Sequence, residues 1–365
     1  MSNSLVLKIN KPPANQIKRI VVRAPNWVGD VVMSGLALRE LRRVLPQAHI
    51  TLVARPGVAD IFMDTGLIDD VLIFERSGLA SVWRQISEWR RRRFDAAVLF
   101  QNAFEAAAIA FLARVPRRIG YNTEGRSLLL TNPLPQPEWK DQRHESFYYL
   151  NIVPEVARLL NGTLSTEDIE ARLVLEVSEE SKRRARQQLK EQGARPGAPL
   201  VLLCPGSINS RAKRWPAERY AALGDRLIES GANVALIGSP GEFDVSQEVC
   251  KHAQHQPIVL TGATSVAEAT AIISIADVLV TNDTGPAHIG AALNTPTLVI
   301  FGPTNPLTTY PMSTNAEIVR RPPDCAPCML RECPIDHRCM TAISPDEVFE
   351  RASALLARHS QEVSA

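Results

Sequence analysis

No apolar run in the 365 residues reaches the ~18 needed for a helix to cross a bilayer, so no membrane-spanning helix is expected. The first fifteen residues are polar, carry two lysines and lack the apolar core of a secretory leader, which points to a cytoplasmic chain. There is no short repeat and no low-complexity tract. Also missing is the G-x-x-x-x-G-K-[ST] spacing of a Walker loop. Against these absences stand 45% apolar and 22% charged residues, the balance of a soluble globular chain, which excludes wholesale disorder and a small disulfide scaffold. At about 100 to 200 residues per domain the length predicts two domains.

A net charge of +2 conceals an asymmetry. Residues 1–150 hold 21 Lys+Arg against 14 Asp+Glu, and the remainder holds 20 against 25. A basic half beside an acidic half fits a first domain that meets something anionic, unless it is an ordinary surface fluctuation.

Apolar runs alternate with helical patterns. Ile20–Val22, Ile50–Val53, Val71–Phe74, Ala96–Phe100 and the stretch near Ile119 read as strands. Between the first two, Leu36, Leu38, Leu41 and Leu45 recur at helical spacing. The Gly/Pro-rich stretch 193–199 is a linker. The pattern then restarts, with strands at Leu200–Cys204, Asn233–Ile237, Ile258–Leu260, Val278–Thr281 and Thr297–Phe301 and a helix over Ala217–Ser230. This β-α-β order predicts two doubly wound α/β domains, 1–185 and 195–345, followed by a helix and tail over 345–365. Ser344 suits the N-cap of that last helix and Pro345 its first position. Ligands of such sheets bind beyond the carboxyl ends of the strands, so the chemistry belongs in the loops that follow them.

In the segment 280–288 a strand ends near Thr281 and a helix begins near Pro286. Asp283 or Thr284 suits the cap, and the free N–H groups with the helix dipole make an anion site. There Thr284 and Gly285 are candidates to hold a diphosphate, and His288 to donate to a phosphate oxygen; the bland alternative is a capped helix with a packing histidine. Cys204-Pro205-Gly206-Ser207 opens a second strand-exit loop, in which Gly206 and Ser207 allow close approach of a phosphate. Lys213 in that loop supplies charge at a leaving diphosphate, or Lys213 and Arg214 are only solvated loop charges. A third exit, Ile237 to Glu242, places a carboxylate where it suits a ribose or base, or is a plain loop glutamate. In the first domain Asp30 follows the turn Arg23–Gly29 and is either a helix cap or a general base for an acceptor hydroxyl.

Trp83–Trp89 runs into four arginines, Arg90–Arg93, and reads either as an amphipathic basic helix against anionic lipid headgroups or as a solvated charged face. Cys325, Cys328, Cys333 and Cys339 fall within 15 residues, with His337 among them. In a cytosolic chain this suggests a structural zinc site, free or redox-active thiols, or an iron–sulfur cluster. Cys204 and Cys250 read as core fillers.

The stretch PNWVGDVVMS at 25–34, the Cys204–Pro216 loop ending in AKRWP, and TNDTGPAHIGAALNTP at 281–296 together resemble the ADP-heptose:lipopolysaccharide heptosyltransferases of glycosyltransferase family 9, the type II enzymes above all. The resemblance runs from about residue 18 to 345. It implies a GT-B fold, two Rossmann-like domains facing a central cleft. It also implies inverting transfer of L-glycero-D-manno-heptose from ADP-heptose to the first heptose of the lipopolysaccharide inner core, with no metal needed for catalysis. By motif position it makes Asp30 the base and Lys213 the lysine on the diphosphate. Ser207, Glu242, Asp283, Thr284, Gly285 and His288 then line the donor. The partners it implies are ADP-heptose, the anionic lipid A–Kdo–heptose acceptor and, peripherally, the cytoplasmic face of the inner membrane; no nucleic-acid partner is expected. The rivals are a type I or III enzyme or another GT-B transferase, a sugar-nucleotide epimerase, and a noncatalytic nucleotide-binding scaffold.

Overall fold

The structure, a computed structural model, describes residues 17–160, 164, 169 and 173–364. The polar N-terminal stretch, and with it the leader reading, lies outside the described residues. The chain divides into two compact units that part between Leu173 and Val174.

The first unit holds β1 (Arg19–Arg23), α1 (Val28–Val44), β2 (His49–Ala54), β3 (Asp70–Ile73), α2 (Leu79–Arg92), β4 (Ala96–Leu99), α3 (Phe104–Leu112), β5 (Arg117–Tyr121), β6 (Asn132–Leu134), α4 (Glu145–Leu150) and α5 (Val153–Leu159). Its six strands are parallel in the order β3-β2-β1-β4-β5-β6. β4 is wholly apolar and buried, and β1 buries Ile20, Val21 and Val22 between its terminal arginines, because helices cover both faces of the sheet. Burying each such Val, Leu or Ile is worth about 1.5–3 kcal/mol. α1 turns Val31, Leu38 and Leu41 into the core, and α2 does the same with Ile86 and Trp89. Trp89 stands edge-on to Phe94, so of the two tryptophans in α2 only Trp83 faces outward.

The second unit repeats the design. It holds α6 (Glu179–Glu191), β7 (Leu200–Cys204), α7 (Ala217–Glu229), β8 (Asn233–Leu236), α8 (Phe243–His252), β9 (Ile258–Val259), α9 (Val266–Ser274), β10 (Val278–Asn282), α10 (Gly285–Leu293), β11 (Thr297–Phe301), α11 (Pro306–Thr309), β12 (Ala316–Arg320), α12 (Arg338–Thr341) and α13 (Pro345–Ser364). Its strands are parallel in the order β12-β11-β10-β7-β8-β9. Read from the other edge this is the order of the first sheet, the 3-2-1-4-5-6 arrangement of dinucleotide-binding folds. α6, which a boundary at 185 would cut, packs on α9. α13 is not a separate tail but packs on α7, and its N-cap is Ser344, whose Oγ accepts from the Glu347 amide at 3.2 Å.

In both units the chain leaves the sheet in opposite directions on either side of one strand pair, β1/β4 in the first and β7/β10 in the second. The crevice at the carboxyl ends of each pair is where this architecture binds ligands.

Candidate active site

At the β7/β10 switch of the second unit the two strand-exit loops are tied to each other. Asn282 ends β10 and donates from Nδ2 to the carbonyls of Pro205 (2.9 Å) and Gly206 (3.2 Å), while its Oδ1 accepts from the Trp215 amide and the Tyr220 hydroxyl, both at 3.1 Å. A buried amide that uses donors and acceptor in this way fixes the spacing of the loops. Across the same junction Lys213 Nζ donates to the Asp283 carbonyl (3.0 Å) and carboxylate (3.1 Å). Thr304 Oγ1 donates to the same carboxylate oxygen at 2.6 Å. Asp283 is buried, and it does not cap α10. It holds the ammonium of Lys213 at the mouth of the switch point instead.

The N-cap of α10 is Thr284, whose side chain makes no capping bond; its Oγ1 donates to the Asn282 carbonyl at 3.3 Å. Gly285 is the first residue of the helix and Pro286 follows, so the positive end of α10 opens beside Lys213 and Asp283. His288 is buried one turn further in, and burial pushes it down to about 4, leaving a neutral ring at physiological pH. A neutral imidazole still donates one N–H but brings no charge to a phosphate.

Arg214 is no solvated charge: its Nε and Nη2 donate to the Ser207 carbonyl at 3.1 and 2.9 Å. Ser207 itself is buried in that loop. Glu242 is buried rather than loop-exposed, and its Oε2 accepts from the Ser239 amide (2.8 Å) and hydroxyl (2.7 Å) in a capping box. The other side of that carboxylate lies against Gly206, where a Cβ would collide with it. Gly206 is therefore required by close approach, and Glu242 braces the floor of the first loop. Cys204 fills the core, its thiol pushed up to about 12 by burial.

The cysteine-rich segment stands behind Lys213. The Ala212 amide donates to the Arg331 carbonyl at 3.0 Å, Ser210 Oγ donates to the Leu330 and Arg331 carbonyls at 3.3 and 3.2 Å, and His337 Nε2–H donates to the Ala212 carbonyl at 2.7 Å. These bonds pin the single 3-10 turn, Arg211–Lys213, that carries the lysine. Cys325, Cys328, Cys333 and Cys339 are all free thiols. Cys339 is buried and pushed up to about 11, by burial first and then by Cys328, Cys333 and Cys325 nearby. Among the described residues no three His, Cys, Asp or Glu side chains stand where they would hold a metal ion. Cys325 lies exposed, Cys339 is buried in α12, and Cys333 accepts the His337 amide at 3.3 Å.

In the first unit Asp30 is the third residue of α1, whose N-cap is Trp27, so capping does not define it. Tyr149 from α4 donates its hydroxyl to Asp30 Oδ1 at 3.3 Å. Tyr149 is buried, and burial together with Asp30 and Glu145 raises its hydroxyl well above the ordinary value, so it remains a donor. Glu145 is also raised, by burial, with Asp30 adding to the effect and Lys140, 3.5 Å away, opposing it. Next to them Tyr148 stacks on Tyr121 at 4.2 Å and accepts from Asn102 Nδ2 at 2.8 Å. Arg126 spans Gln101, Asn102 and Tyr121, tying the exits of β4 and β5. The carboxylate after the β1 exit thus accepts from a tyrosine whose neighbour Tyr148 is stacked on Tyr121.

The family model described as glycosyltransferase family 9 (heptosyltransferase) matches residues 81–338. The chain belongs to glycosyltransferase family 9. This family 9 enzyme is 29% identical to lipopolysaccharide heptosyltransferase 2 of Escherichia coli K12, over 93% of its own length and 98% of that protein's. It is 30% identical to lipopolysaccharide heptosyltransferase 2 of Salmonella typhimurium LT2 over 83% and 88%. Its fold superposes on the structure of E. coli ADP-heptose LPS heptosyltransferase II with a TM-score of 0.81 and 27% identity, covering 94% of this chain and 99% of that one. A family 9 glycosyltransferase from Veillonella parvula shares the fold at a TM-score of 0.79 and 23% identity. The transferase has the GT-B fold.

Sequence reasoning singled out neither Tyr149, Glu145, Lys140, Asn102 nor Arg126 in this transferase's first unit, nor Thr304 in its second. The available signals were the Phe147-Tyr148-Tyr149 run in a chain with only five tyrosines, and the position of Gly302–Pro306 at the exit of β11.

Proposed function

We propose that this glycosyltransferase moves L-glycero-D-manno-heptose from ADP-heptose to the first heptose of the lipopolysaccharide inner core, inverting the anomeric carbon. The observation that carries the reading is near full-length similarity to proteins named lipopolysaccharide heptosyltransferase 2. The switch point at which Lys213 and α10 meet suits the donor half.

In this reading the acceptor hydroxyl oxygen attacks the anomeric carbon as the bond to the β-phosphate oxygen breaks. Asp30 takes the hydroxyl proton, and ADP leaves. Tyr149 orients the base by donating its hydroxyl to Asp30 Oδ1. Lys213 and the α10 N-terminus stabilise charge gathering on the leaving diphosphate. Thr284 and Gly285 lie at that terminus, and Asp283 keeps the ammonium in place before donor arrives. Ser207 and Glu242 belong to the loops beside it. The acceptor is lipid-anchored, so the enzyme works at the cytoplasmic face of the inner membrane as a peripheral protein. No helix of the described residues is long and apolar enough to cross a membrane.

The test measures ADP release from ADP-heptose with Kdo2–lipid A that carries or lacks the first heptose. Release with the heptosylated acceptor alone is expected. Release with the bare Kdo2 acceptor would reassign the enzyme to the preceding transfer, and donor conversion without any acceptor would make it an epimerase or hydrolase.

A further inference from the structure

The outer side of α3 and the N-terminal turn of α2 in the first unit carry exposed apolar side chains where a solvated helix face is polar. In α3 the residues at positions i, i+4, i+7 and i+8 of the outward stripe are Phe104, Ala108, Phe111 and Leu112, and all but Ala108 are exposed. Leu79 and Trp83, one turn apart on α2, are 74% and 58% exposed. Leu128, in the turn that packs on α3, is 92% exposed.

Guanidinium groups knit this surface together and border it. Arg90 Nη2 donates to the Leu112 carbonyl at 2.6 Å, joining the ends of α2 and α3. Arg118 donates from Nε to the Leu129 carbonyl at 2.6 Å and lies 5.3 Å over the Phe111 ring. Residues 79–118 contain eight arginines, no lysine and three acidic residues. Those three acids are already engaged. Glu88 binds Arg91 and Arg92, Glu105 binds Arg76, and Asp95 accepts the amides of Lys18 and Arg19. Arg84, Arg93 and Arg114 stand exposed around the apolar stripe.

We infer that this α2–α3 face docks on an anionic phospholipid bilayer. Leu128, Leu79 and Trp83 are the most exposed apolar side chains of this face, and exposed aliphatic and indole groups suit insertion between headgroups. Arginine forks match phosphodiesters in charge and geometry. The inference deepens the lipid-linked-acceptor reading and rests on it for its purpose, but its test needs no sugar acceptor.

The full chain is sedimented with vesicles of phosphatidylglycerol and phosphatidylethanolamine, and separately with phosphatidylcholine vesicles. Wild type is expected to partition more strongly onto the anionic vesicles, by about a hundredfold or more, with the preference weakening as salt rises. Replacing exposed apolar side chains (Leu79→Ser, Trp83→Ser and Leu128→Ser together) is expected to cut partitioning about tenfold or more while the melting temperature holds. Arg84→Gln with Arg114→Gln is expected to lower it on the order of twentyfold on anionic vesicles only. Equal binding to both lipids, or undiminished binding by the apolar triple variant, overturns the proposal. So does an absence of vesicle binding; if wild type then dimerises and the triple variant does not, the face belongs to a second copy of the chain. Transfer to a heptosylated acceptor without vesicle binding defeats only the docking inference. Vesicle binding without transfer defeats only the proposed reaction.

Discussion

Replacing Lys213 by methionine tests the donor site through its effect on Asp283. The ammonium makes two bonds to Asp283, at 3.0 and 3.1 Å, and without it the buried carboxylate keeps a single hydroxyl donor, Thr304 at 2.6 Å. Orphaning one member of a fully buried ion pair costs about 3–5 kcal/mol. Lys213 is 26% exposed, so water replaces part of what is lost and about 1–3 kcal/mol is expected. Thermal scanning then reads a fall of about 2–4 °C per kcal/mol for a unit of this size. Asp283→Asn alone removes the charge but keeps an acceptor and costs less. In the double variant the two losses overlap, so the cycle returns a coupling of about 1–3 kcal/mol. The same lysine faces the diphosphate in the proposed reaction, so calorimetry should find ADP bound roughly ten- to a hundredfold more weakly by Lys213→Met. Stability losses that add to within about 0.5 kcal/mol would show that the two residues do not act as a unit. An ADP affinity within about threefold of wild type would remove Lys213 from the diphosphate.

His288 is held down at about 4 by burial, so the unfolded chain binds the extra proton between its ordinary 6.5 and 4. Its contribution is complete above pH 6.5 and disappears as pH falls toward 4, by about 3 kcal/mol at most. Urea unfolding should show that slope, and an unchanged slope in His288→Gln would assign it to other groups. Gly206→Ala drives a methyl into the Glu242 carboxylate and should cost about 1–3 kcal/mol along with ADP affinity, whereas a wild-type melting temperature would mean the loop yields freely. His337→Gln loosens the turn bearing Lys213; ADP affinity is expected to fall about fivefold with little change in melting temperature, and unaltered affinity would deny the cysteine-rich segment its bracing role.

The central strands were legible because burial on both faces writes them as continuous apolar runs, and the turn residues after them mark the loops. The edge strands β6 and β12 were not, for the same physical reason. β6 is three residues with Pro133 in the middle, tolerated only at an edge, and β12 carries Glu317 and Arg320. The loop residues around Lys213 and Asp283 could be named from sequence, but not their bond, which joins positions 70 apart. Tyr149 reaches Asp30 across 119 residues and leaves no local pattern. The cysteine spacing, read in one dimension, suggested a ligand set. What the spacing could not show is that the segment's backbone and His337 hold the loop that carries Lys213.

The account stands on Asp30 acting as base in an acceptor-dependent heptosyl transfer. Single-turnover ADP release from ADP-heptose with heptosylated Kdo2–lipid A, compared between wild type and Asp30→Asn at saturating donor, measures this most directly. The account predicts a rate lower by about a hundredfold or more in the variant, with ADP affinity unchanged. A variant that turns over at the wild-type rate, or a wild type whose ADP release ignores the acceptor, would contradict it.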